Sequence, residues 1–205
     1  MNSAPRISNV VFDIGNVLIH WDPRHLYRRV FADPEEMEHF LKNVCTSAWN
    51  LEQDRGRSFA EGVAELLVRF PQHEAAIRAY DERWGEMVPG AIEGSVALME
   101  RLEAKGVPLY AITNFSTEKF AEAYPRFPFL ARFRGTIVSA HERLVKPDAA
   151  IFALFLKRYG LRAEECLFID DSAANVAAAR AAGMAAHHFL GPEGLERELV
   201  ELGLI

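Results

Sequence analysis

Cysteine is scarce, with two residues, Cys45 and Cys166, in a chain of 205. They lie far apart and match neither a CxxC pair nor a zinc-site spacing, so a disulfide framework and a thiolate metal centre are excluded. As free thiols they fit a reducing cytoplasm. Basic charge is short as well. Lys and Arg number 23 against 29 Asp and Glu, a formal charge of −6, and no basic block interleaves with aromatics. A nucleic-acid backbone is therefore not an expected partner. Long apolar runs are missing too. The N-terminal stretch NVVFDIGNVLI is interrupted by Asp13, which fits neither a secretory leader nor a membrane span. There is no internal repeat and no low-complexity linker.

What is present reads as a globular chain, 50% apolar and 25% charged, long enough to bury a real core. Val10 to Ile14 is continuous in its apolar character, as expected of a strand buried on both faces. The next stretch changes period. Asp22-Pro23 and Asp33-Pro34 each set an N-cap acid before a proline, Ser58 and Glu61 fit a capping box, and a further helix is expected from His73 to Met87. WNLEQDRG, from Trp49 to Gly56, reads as a turn between two helices. After Pro89-Gly90, helices and strands alternate. Expected strands cover Val107 to Thr113, Thr136 to Ser139, Cys166 to Ile169 and Ala186 to Leu190. Gly106, Gly160 and Gly183 close the helices at about 92–105, 148–159 and 173–182, the last capped by Ser172.

Alternation of this kind implies crossover units and a mainly parallel sheet. The expected fold class is α/β: a three-layer, Rossmann-like core with an inserted all-helical cap. Residues 1–19 and 89–205 would form the core, and residues 20–88 the cap.

In open α/β sheets, ligands bind beyond the carboxyl ends of the strands. Asp13 follows VVF, Thr113 and Asn114 follow LYAI, Lys146 follows TIVS, and Asp170-Asp171 follow LFI. Each alone has an ordinary reading as a turn, cap or surface residue. Together they place polar groups from four separate strand exits on one edge of one sheet. Three converging carboxylates repel each other unless positive charge lies among them. Lys146 supplies one charge. An all-oxygen set with few protein ligands suits Mg2+ for the rest, with Asp13, Asp170 and Asp171 as the ligands. His187-His188, in or near a strand, reads as structural.

FDIGNV, ITN, VKPD and FIDDSAANVAAARAAGM resemble the four ordered motifs of the haloacid dehalogenase superfamily of hydrolases, over Asp13 to Met184. FDIGNV most resembles the branch with glucose 1-phosphate phosphatases, and the phosphatase domains of bifunctional epoxide hydrolases look related. The resemblance implies roles. Asp13 would be a nucleophile forming an aspartyl-phosphate. Thr113 and the backbone around Asn114 would hold phosphate oxygens. Lys146 would neutralise charge. Asp171 would ligate Mg2+, Asp170 would ligate it or orient its waters, and Asn175 would brace them.

The departure is Gly15, where most superfamily phosphatases carry an aspartate whose carbonyl binds metal and whose side chain protonates the leaving group. Gly15 keeps the carbonyl and loses the acid. His20 and Asp22 follow closely enough to be expected as replacements, although Asp22 also fits a helix cap. In the helical insert, the WNLEQDRG segment, with Trp49, Asn50, Asp54 and Arg55, is expected to point into the cleft, with Trp49 on a substrate ring and Arg55 on an anion. The expected activity is hydrolysis of a small phosphorylated metabolite, a sugar phosphate by preference, by a cytoplasmic monomer or homodimer with no membrane partner. Alternatives are a metal-free 2-haloacid dehalogenase using Asp13 on carbon, and a non-catalytic phosphate-binding module.

Overall fold

The computed structural model describes residues 6–205. Five strands make one parallel sheet: β1 (Asn9–Phe12), β2 (Leu109–Thr113), β3 (Gly135–Val138), β4 (Cys166–Asp170) and β5 (Ala185–His188). Their spatial order is β3-β2-β1-β4-β5. Val10 pairs with both Leu109 and Leu167, which fixes the register of the three central strands. Strand order reverses direction at β1, so the carboxyl end of β1 is the switch point where such sheets bind ligands.

The strands are apolar on both faces because helices cover both. Val10, Phe12, Leu109, Leu167 and Ile169 pack with Leu98, Met99 and Leu102 of α6 (Glu93–Ala104) and with Leu195 and Leu199 of α11 (Pro192–Glu201). The alternate residues Val11, Tyr110, Ile112 and Phe168 pack with Phe152 and Phe155 of α9 (Ala149–Tyr159) and with Val176 and Ala179 of α10 (Ala173–Ala181). Gly106, Gly160 and Gly183 take positive φ beyond α6, α9 and α10. This left-handed conformation ends helices and favours glycine.

The elements between β1 and α6 are all helical: α1 (Arg24–Tyr27), α2 (Pro34–Asn43), α3 (Ser47–Asp54), α4 (Phe59–Arg69) and α5 (Glu74–Glu82), with short 3-10 turns at Pro71–His73 and Trp84–Met87. The helix expected from His73 to Met87 therefore breaks at Arg83. WNLEQDRG is largely helix and not a turn, because Thr46 Oγ1 accepts the Trp49 amide at 3.0 Å and caps α3. Asp33 caps α2, and Ser58 with Glu61 forms a reciprocal capping box on α4, as their spacing predicts. Two helices were not anticipated, α7 (Thr117–Ala123) and α8 (Ser139–Glu142).

The helical insert shares a core with the sheet. Phe40, Trp49, Phe59, Tyr80 and Trp84 belong to one buried cluster with Ala111, Phe115 and Val138. Its entry and exit lie side by side. Ile19 bridges Ala91 in antiparallel fashion, His20 donates to the Gly90 carbonyl at 3.0 Å, and Ile92 donates to the Leu18 carbonyl at 2.8 Å.

Candidate active site

The turn after β1 is held by its own backbone. The Ile14 carbonyl accepts the amides of Leu18 and Ile19 at 2.9 and 3.1 Å, and Asn16 sits at φ 56°. Asn tolerates that left-handed backbone better than most residues. Gly15 needs no special φ, yet a Cβ there would meet nothing within 4 Å.

Asp13 is 7% exposed and Lys146 is 2% exposed. Lys146 Nζ lies 2.8 Å from Asp13 Oδ1 and 2.6 Å from Asp170 Oδ2. The Lys146 backbone is fixed as well. Its amide donates to Asn114 Oδ1 at 2.8 Å, and Asn114 Nδ2 donates to its carbonyl at 3.0 Å. One strand exit thus clasps another, across a cis Lys146-Pro147 bond.

Asp170 is fully buried and fully used. Its carboxylate accepts the Ser172 amide at 2.8 Å, Asn175 Nδ2 at 3.0 and 3.1 Å, and Lys146. Ser172 does not cap α10 with its side chain, contrary to expectation; its own amide donates to Asp170. Asp171 is exposed toward the cavity.

Oxygen atoms of Asp13, Asp170 and Asp171 lie within 4.8 Å of one another. Three carboxylates against one ammonium leave two negative charges uncompensated. A divalent hard cation fits that count and that donor set, with the Gly15 carbonyl as a further ligand of the same kind. The titration of the cluster agrees. Burial pushes Asp13 up to about 7, with Lys146 opposing and Asp170 and Asp171 adding to the shift. Burial, reinforced by Asp170, raises Asp171. Burial works against the Lys146 charge, but Asp13 and Asp170 outweigh it and hold that pKa above its ordinary value. Thr113 Oγ1, at the end of β2, is buried without a hydrogen-bond partner among the described residues. An unmade bond there costs about 1–3 kcal/mol, so the hydroxyl is suited to a ligand oxygen.

Above this floor is a cavity of about 240 Å³. Asp13, Gly15, Asn16, Asn114, Ser116 and Asp171 line its sheet side. Its helical side, the roof, carries Asn50, Asp54 and Phe59 from α3 and α4, and Trp84. Trp21, Phe115 and Lys119 complete the wall. Lys119 is committed to Asp81 at 2.7 Å and Glu122 at 3.2 Å.

Four expected residues lie elsewhere. Trp49 is buried inside the helical insert and donates its indole N–H to the Gly62 carbonyl at 3.1 Å, so it presents no face to a substrate. Arg55 is exposed beside Glu52 at 3.6 Å, one position past the end of α3, and does not line the cavity. His20 is exposed and outside the cavity lining. The Asp22 carboxylate accepts the Arg24 amide at 2.9 Å and meets its guanidinium at 3.3 Å, and it faces a neighbouring groove. Both reasons are geometric: the chain turns away after Ile19, and Asp22 serves the start of α1. His187, in β5, bonds Glu198, and His188 Nε2 meets the Asp171 carbonyl at 3.0 Å, consistent with structural roles. The WNLEQDRG segment does reach the cavity, through Asn50 and Asp54 and not through Trp49 or Arg55, whereas Phe59, Trp84, Phe115 and Ser116 had not been foreseen there. Ser139 had no signal at all, yet its hydroxyl accepts the Phe115 amide at 2.9 Å and donates to the Asp54 carbonyl at 2.6 Å.

The sequence matches the haloacid dehalogenase-like hydrolases over residues 7–183. Sesquiterpene phosphatase astK of Aspergillus oryzae is 28% identical over 181 residues, 87% of each chain. A HAD family enzyme from Bacteroides thetaiotaomicron, solved with magnesium and inorganic phosphate, has a TM-score of 0.64 at 21% identity, covering 88% of this chain and 93% of that one. An L-2-haloacid dehalogenase from Xanthobacter autotrophicus with chloropropionic acid covalently bound has a TM-score of 0.63 at 18% identity, covering 95% and 83%. The two solved structures share the fold; at these identities they speak to nothing finer.

Proposed function

The chain belongs to the haloacid dehalogenase-like hydrolase family, and from that premise we propose that it is a Mg2+-dependent phosphatase of small phosphate monoesters, working through an aspartyl-phosphate on Asp13. The observation that carries this reading is the gathering of Asp13, Asp170 and Asp171 oxygens within 4.8 Å, around one lysine shared by two of them. Displacement at carbon by a lone carboxylate has no use for that many acids. The phosphatase relative from Aspergillus oryzae supports the same direction.

In this mechanism Asp13 attacks phosphorus and water then attacks the phospho-enzyme, which restores the free carboxylate. Lys146 holds Asp13 in place and offsets charge on the phosphoryl oxygens. Thr113 and the backbone near Asn114 receive those oxygens. Asp13, the Gly15 carbonyl and Asp171 would hold Mg2+, with Asp170 and Asn175 keeping the set in position. Bound there, Mg2+ supplies Lewis-acid stabilisation of the phosphoryl charge. Residues 20–88 act as a cap over the site and limit water at the phospho-enzyme stage.

The cavity, about 240 Å³, matches a small ester more than a bulky one. Trp21, Phe59, Trp84 and Phe115 favour a leaving group with an apolar or ring face. Sugar phosphates and phosphates of apolar alcohols both meet that description.

The test is phosphate release from a panel of sugar, aryl and prenyl phosphates with Mg2+ and with EDTA, beside halide release from 2-haloacids. Mg2+-dependent phosphate release is expected. Halide release that persists in EDTA, with no ester turned over, would replace this reading with the dehalogenase one.

A further inference from the structure

We propose that Asp54 is the general acid and base that Gly15 does not supply. This rests on the phosphatase reading above.

Asp54 closes α3 and brings a carboxyl group to the cavity from the roof. It shares that cavity with Asp13, Gly15 and Asp171, and a Cβ at Gly15 would meet nothing within 4 Å. Its position is fixed from two directions. Asn50 Nδ2 donates to Asp54 Oδ2 at 3.2 Å, and Ser139 holds its carbonyl at 2.6 Å, so the residue is tied to the sheet as well as to its own helix. Among the described residues no cation pairs with it.

The other protonatable groups near the cavity are occupied. Lys119 is held by Asp81 and Glu122, Lys146 by Asp13 and Asp170, and Asp171 belongs with the metal donors. Asp22 and His20 do not reach the cavity wall. Burial, with the charge of Asp13 adding, pushes Asp54 up to about 7 against Lys146 and the Ser116 amide, consistent with a carboxyl that holds a proton near neutrality.

The proton balance closes over both steps. As Asp13 forms its bond to phosphorus, the bond from phosphorus to the ester oxygen breaks, and the Asp54 proton passes to that oxygen. The alcohol leaves and Asp54 is a carboxylate. In the second step Asp54 takes a proton from the attacking water, oxygen joins phosphorus, and the Asp13 acyl-phosphate bond breaks. Inorganic phosphate leaves with Asp13 ionised and Asp54 protonated again.

The experiment compares kcat/KM for an alkyl phosphate and for 4-nitrophenyl phosphate, whose leaving group needs little protonation, with Mg2+ present. For Asp54→Asn the alkyl ester should lose about 10²–10⁴-fold while the aryl ester loses under about tenfold. Asp54→Glu should recover part of the alkyl rate. Equal losses on both esters, or none on either, would overturn the proposal. A parent enzyme that turns over neither ester would instead remove the phosphatase reading, and this inference with it.

Discussion

On the sheet side of the cavity, charged groups have several partners each; on the helical side they have few. Asp170 accepts from Ser172, Asn175 and Lys146, and Lys146 is shared by two acids and clasped through its backbone by Asn114. Across the cavity, Asp54 meets one side-chain donor, Asn50, beside the Ser116 amide, and its neighbours Phe59 and Trp84 offer only surface. Multiple partners fix geometry that every substrate shares, a phosphoryl group and its metal. A loosely furnished aromatic roof fixes little, and leaves the identity of the leaving group to shape. The floor accounts for the reaction and the roof for the choice of substrate.

The contrast is best broken at the floor. Asp13→Asn preserves the shape of the nucleophile and should lower kcat by roughly 10⁴-fold or more on every ester, measured by phosphate release. A residual rate within tenfold of the parent would remove Asp13 from the chemistry. Chelation should be nearly as severe. EDTA is expected to bring turnover to background, and Mg2+ at about 100 times its Kd should raise stability by about 2.7 kcal/mol in a thermal melt. Asp171→Asn should erase that Mg2+-induced shift.

Lys146→Met strips the shared cation from two buried carboxylates. The expected cost is about 3–5 kcal/mol in denaturant unfolding, smaller when Mg2+ is present. A melt unchanged by this substitution would mean the pair carries little. The sign of the pH dependence follows from Asp13 and Asp54, both raised to about 7. Their folded forms hold protons more tightly than the unfolded chain does. Between roughly pH 4 and pH 7 the contribution of these two groups to stability therefore falls as pH rises. In metal-free buffer, Asp54→Asn should flatten that decline, and Mg2+ should flatten it further by competing for Asp13. The mildest change concerns the roof. Trp84→Phe should alter KM between esters by a few-fold, about 1 kcal/mol, and leave kcat for 4-nitrophenyl phosphate nearly unchanged.

What was legible in the sequence was local. Buried strands read from continuous apolar runs, and α4 from its Ser58–Glu61 box. The ends of α6, α9 and α10 read from glycines that take positive φ. Asp13, Lys146 and Asp170 could be grouped because strand exits of a parallel sheet open on one edge, and the structure brings both carboxylates within 3 Å of the Lys146 ammonium. The roof obeys no such rule. α3 looked like a turn because its eight residues carry two acids, two amides and little apolar character, and its cap at Thr46 lay outside the window considered. Whether Trp49 or Asp54, on the same helix, faces the cavity depends on how the insert packs against Phe115 and Val138, a contact between distant parts of the chain. His20 and Asp22 were favoured by nearness in sequence, while the carboxyl group that reaches the cavity arrives from more than thirty residues further on.

The zipped crossing at Ile19 and Ala91 has a wider meaning. Backbones paired in this way stand about 5 Å apart, so the chain enters and leaves the insert through one narrow crossing. A tight turn could bridge that gap, and a much longer insert would add only a slow, logarithmic cost of loop closure. Lineages sharing this scaffold could therefore lengthen, shorten or exchange the insert without redrawing a single hydrogen bond between strands, and so try new specificities on an unchanged reaction.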